Sequence, residues 1–244
     1  MKAARIALLL LTLATPSAFA QHTHGGGGDE AMAGMAMGGD GSTKSMMAEG
    51  LKPHINMSPM RVATRADSVR ARQVVTDLRG AIARYADTSA AIAAGYVFRP
   101  RFKRAPKVYH FTNRRNALAS AFSFDADRPT SLLYERKRDG SLELVGAMYT
   151  APKGATLADL DARLPLSIAQ WHQHVNLCMP KLRQQDRITE RKNGRPVFGP
   201  ASGVTTREQC DAVGGRFRGT DVPWMVHVNA MRSDDLGTVF EHKH

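Results

Sequence analysis

Two stretches of the chain repeat one pattern, W-x-x-H-V-N: Trp171-His172-Gln173-His174-Val175-Asn176 and Trp224-Met225-Val226-His227-Val228-Asn229. Both are rich in β-forming residues, and side chains alternate faces along a strand. His172, His174 and Asn176 therefore share one face, opposite Trp171, Val175 and Leu177. In the second copy Met225, His227 and Asn229 oppose Trp224, Val226 and Val228. A third stretch, Val108-Tyr109-His110-Phe111-Thr112, sets His110 against Tyr109 and Phe111 in the same way. The apolar faces belong against a core, which leaves the imidazoles on a separate, polar face. Neutral imidazole is the commonest protein ligand for metal ions. Three or four from adjacent strands can surround one ion at about 2.0–2.1 Å and leave a position open. The pattern predicts a site of His110, His172, His174 and His227 for a divalent transition metal, copper or zinc, with no organic cofactor. Asn176 and Asn229 are expected to orient the rings through hydrogen bonds, and Glu135 is the nearest carboxylate. A closed site would make the chain a metal-binding protein. An open coordination position would suit a metal-dependent oxygenase or hydrolase. Without an ion, the same histidines would be structural parts of a non-catalytic envelope protein.

These strands need elements to hold them. Val69, Val75, Leu78, Ile82 and Tyr85 recur at mostly three- and four-residue steps and predict an amphipathic helix, with Asp67 or Ser68 as its N-cap. Asp87 caps a shorter helix over 88–94, which Gly95 stops. Beyond Tyr96 the period becomes two. Strands are expected over 108–112, 131–137, 142–150, 168–177 and 224–230, with Asp139-Gly140 as a hairpin turn. Helical insertions are expected at 114–121, 157–163 and 206–213, and a long loop over 181–223. The sum is an α+β fold, N-terminal helices packed on a mainly antiparallel sheet or incomplete barrel.

Ala94-Gly95-Tyr96, Tyr109-His110-Phe111-Thr112-Asn113, Leu132-Leu133-Tyr134-Glu135, Leu144-Val145-Gly146-Ala147-Met148-Tyr149 and the two His-Val-Asn strands resemble, in that order over about residues 75–230, a group of uncharacterised exported bacterial proteins. The resemblance implies a secreted α+β domain with a His-lined centre and carries no activity with it. The H-x-H of His172 and His174 departs from the metal-cupin pattern. Leu166 stands where that pattern has Gly, and Cys178 or Met179 where it has Glu.

The ends of the chain indicate a compartment. Lys2 and Arg5 precede the apolar run Ile6 to Ala14, Pro16 breaks it, and Ala18-Phe19-Ala20 offers small residues for cleavage. Residues 1–20 are therefore expected to be a signal peptide, and the protein periplasmic or secreted. No internal run is long enough for a transmembrane span in the mature chain. Residues 21–60 carry seven of the 12 methionines and many glycines with little to bury, and are expected to be disordered. His22, His24, Met32, Met35 and Met37 in this tail are soft and borderline donors suited to copper. Residues 61–244 are then one domain. In an oxidising compartment Cys178 and Cys210 are expected to pair. The net charge of +12 comes from dispersed Lys and Arg. The densest cluster, Arg99, Arg101, Lys103, Arg104 and Lys107, suits an anionic cell-envelope surface. No P-loop, dinucleotide fingerprint, G-x-S-x-G or nucleic-acid reader module occurs in the sequence, so nucleic acid is not an expected partner.

Overall fold

The computed structural model describes residues 52–99, 106–220 and 222–241. The expected signal peptide, the tail ligands His22, His24, Met32, Met35 and Met37, and the basic residues Arg101, Lys103 and Arg104 lie outside them.

The fold is α+β. The chain runs β1 (Ile55–Met57), α1 (Arg65–Ile82), α2 (Thr88–Ala93), β2 (Val97–Phe98), β3 (Val108–Thr112), α3 (Arg114–Ala119), β4 (Ser131–Arg136), β5 (Leu142–Ala151), α4 (Leu157–Arg163) and β6 (His172–His174). A small unit follows with β7 (Leu177–Met179), β8 (Arg191–Lys192), β9 (Arg195–Pro196), α5 (Arg207–Ala212) and β10 (Arg216–Arg218). The chain then returns through β11 (Trp224–Val228) to α6 (Leu236–Val239). Seven strands form an open antiparallel sheet in the order β1-β6-β11-β5-β4-β3-β2.

Strand alternation sorts the two faces. Phe111, Leu132, Ala147 and Val228 align across four strands and are all buried, as are Trp171, Trp224, Val226, Tyr134 and Tyr149. This face packs against α1, whose Ala71, Val74, Val75, Leu78 and Ile82 are buried in the same core. Each large apolar side chain so buried contributes about 1.5–3 kcal/mol. Thr64 caps α1 through a reciprocal box with Asp67, three to four residues before the expected cap. Val69 was expected in the buried stripe and is 62% exposed; Ala71 and Val74 fill that row instead. Asp87 caps α2 as expected, and Gly95 has φ +88° beyond its end.

Three expectations need correction. The folded part begins near residue 52 rather than 61: β1 pairs with β6, Ile55 opposite His174 and Met57 opposite His172. This edge strand is held by backbone bonds, and its three residues are too few to show a period amid a Gly- and Met-rich segment. The strand expected over 168–177 is confined to His172–His174, because Asn176 takes φ +54° and turns the chain into β7. Residues 181–223, expected as a long loop pinned by the disulfide, also hold short strands and a small core of their own around it. Cys178 and Cys210 form a disulfide with a Cα separation of 5.4 Å, and Ile188, Val197 and Phe198 are buried around it. Closing a loop of this size stabilises by roughly 3–4 kcal/mol in the chain-entropy model. A Cβ on Gly215 would lie 2.4 Å from the Cys178 sulfur, so this packing requires glycine there.

Candidate metal centre

The face of the sheet opposite the core carries the histidines. On β6, His172 lies opposite Met57 of β1 and Met225 of β11. Two residues on, His227 lies opposite Met148 of β5. His110 on β3 lies opposite Leu133 of β4, which lies opposite Gly146 of β5. Leu133, Val145 and Met148 form a small buried cluster on this face, with Val108 and Met225 packed against it.

The imidazoles form one row. The His110 and His227 ring centroids are 5.2 Å apart, His227 and His172 5.5 Å, and His172 and His174 5.6 Å. β5 and β4 lie between β11 and β3. In a flat sheet that interval would be about 14 Å at the usual strand spacing. A sheet coiled toward this face, with both rings leaning inward, closes it. Gly146 of β5 lies opposite Leu133. A Cβ there would lie 2.0 Å from the Val228 carbonyl oxygen and 2.8 Å from Asn229 Cα, so the end of β11 packs directly against it. A register shift between Leu133 and Tyr134, opposite Val145, adds local twist beside it.

His172 is fully buried and His227 nearly so, while His110 and His174 are half-buried. Burial lowers the His174 pKa from its ordinary value, and the nearby His54 ring adds to this, against a hydrogen bond to the His54 backbone. His174 is thereby held toward the neutral form that ligates metals.

The expected helpers are engaged elsewhere. The Asn176 amide donates to the Pro53 carbonyl at 3.0 Å, and that of Asn229 donates to the Glu241 carbonyl at 2.8 Å. Both amides thus bind backbone carbonyls rather than imidazoles. Glu135 shares the histidine face by register but forms an ion pair with Arg232. His54 carried no signal in the sequence, a single His in a Pro-rich context. It is fully buried, with Nδ1 3.0 Å from the Asn176 carbonyl and Nε2 2.8 Å from the Ser202 carbonyl. It ties the start of β1 to the disulfide unit.

Among the described residues, no group of three or more His, Cys, Asp or Glu side chains is arranged to hold an ion. Among the same residues, no helix is long and apolar enough to cross a membrane. No family model, curated protein or solved structure matches the chain.

Proposed function

We propose that the chain is an exported protein that binds a transition-metal ion through His110, His172 and His227, with His174 as the fourth imidazole. The carrying observation is that His227 stands between His110 and His172, at 5.2 and 5.5 Å. A nitrogen about 2.0–2.1 Å from an ion puts its ring centroid about 3.2 Å away, and two such rings at a tetrahedral angle have centroids about 5.2 Å apart. The two separations from His227 fit that value. The terminal torsion of His is broad, so each ring can turn a nitrogen toward a neighbour at little cost, and closing all three on one ion also needs His110 and His172 to approach each other. The disulfide supports export, since such bonds persist in oxidising compartments.

The test is elemental analysis of the full-length protein purified from its compartment without added metal. A stoichiometric copper or zinc ion is expected, lost from a His110→Ala, His227→Ala double variant that still folds. A variant that retains the ion contradicts the assignment of these ligands. A wild-type protein that takes up neither metal, even when it is supplied, contradicts the function.

A further inference from the structure

Resting on that reading, we propose that the ion is copper, held in its reduced state by the thioethers of Met148 and Met225, with Met57 at the margin, beside the imidazoles. Register carries the argument. Met57 and Met225 flank His172 from the strands on either side, and Met148 lies directly opposite His227. Directly opposed residues share a face with Cβ atoms about 4.5–5.5 Å apart. Three rotatable bonds let a methionine sulfur turn toward a neighbouring ring. Every histidine-bearing position of β6 and β11 that faces a methionine does so on the side away from the main core, where Met148 and Met225 are packed together.

The donor set then selects the metal. The chain's two cysteines are joined to each other, so no thiolate is offered. Glu135, the carboxylate that shares this face, is committed to Arg232. Imidazole and thioether remain, and thioether is a soft ligand that favours Cu(I) and adds little for zinc. The surroundings agree: Leu133 is 1% exposed, Val145 6% and Met148 9%. An apolar setting disfavours the doubly charged ion more than the singly charged one.

The experiment uses the full chain with Met32, Met35, Met37, Met46 and Met47 each replaced by Leu, so that the five methionines of residues 21–51 contribute no sulfur. Cu(I) affinity is measured anaerobically by competition with a colorimetric chelator, and Zn(II) affinity in parallel. X-ray absorption reads the atoms bound to copper. The Met148→Leu, Met225→Leu double variant conserves volume. It should weaken Cu(I) by roughly tenfold or more and remove a sulfur shell seen beside nitrogen, with Zn(II) within about twofold of the parent. Met57→Leu, at the half-buried edge, should weaken Cu(I) less and in the same sense. Unchanged Cu(I) affinity and copper surroundings, with binding abolished by His227→Ala, would overturn the copper assignment and leave the histidine site standing. Equal loss of both metals would also overturn it, since that marks damaged packing rather than a lost ligand. Failure of the parent to bind either metal would overturn the underlying reading as well.

Discussion

His110 and His227 stand on strands separated by two others, and their rings meet edge to face at 5.2 Å. Strand pairing alone would leave them far apart. Closing that interval requires the sheet to bend toward the histidine face. The candidate site is therefore a property of the sheet's curvature as much as of the histidines, and residues that set the curvature should control binding without touching an ion.

Gly146 is the clearest of these. Its missing Cβ leaves room for the Val228 carbonyl oxygen, which would lie 2.0 Å from it. Gly146→Ala must push the end of β11 away. It should destabilise the fold by about 3 kcal/mol or more, read by urea unfolding. It should also weaken metal binding under conditions where the variant is still folded. A variant as stable as the parent would mean that β11 can leave this contact freely.

His54 should behave as a structural tie. Its ring nitrogens lie 3.0 Å from the Asn176 carbonyl and 2.8 Å from the Ser202 carbonyl, bracketed between the two segments. His54→Leu leaves two inward carbonyls without this partner and should cost about 2–4 kcal/mol. Truncation gives the companion test. Removing residues 21–50 should leave the unfolding midpoint unchanged, whereas removing 21–60 takes away His54 and β1 and should lower it clearly. Equal midpoints for the two truncations would show that β1 contributes nothing.

Acid sensitivity should originate at the base of α1. Arg61 grips Asp67 with both terminal nitrogens, at 2.6 and 2.7 Å, and reaches Asp161 at 2.8 Å. Those bonds, against the opposing effect of burial and helped by the Thr64 backbone, hold the Asp67 carboxyl far below the usual carboxylate range; Asp161 is lowered by the same Arg61. A carboxyl with a lowered folded-state pKa favours folding fully above its unfolded value and loses that contribution as pH falls toward the folded one. Thermal unfolding of the metal-free protein should therefore be flat near neutrality and decline below about pH 4. Asp67→Asn should be less stable at neutral pH and show a shallower acid decline. An identical acid slope in the variant would exclude Asp67 as its source.

Much of this could be read from residue order. The alternation around Trp171 and Trp224 separated the core face from the imidazole face, and the strands bearing Val108–Thr112 and Leu142 lie where period two put them. α4, over Leu157–Arg163, likewise matches its expected span. What escaped were features without a period or set by distant chain. β1 is three residues long, and its partner is more than a hundred residues away. Asn176 breaks a strand that its neighbours favour, because its left-handed backbone serves the turn into β7. The nearness of His110 to His227 depends on coil, and alternation reports which face a side chain takes, never how far that face bends.

The most direct measurement is nitrogen NMR of the full chain labelled at its histidine rings, titrated with Zn(II) as a diamagnetic probe. The ring signals of His110, His172 and His227 should move together with the first equivalent, before those of His22 and His24. His174 should follow or join them, and the His110→Ala variant should lose the concerted shift. If the first equivalent moves only His22 and His24 while the four sheet histidines stay unchanged, the row is a packed set of structural imidazoles and does not bind metal.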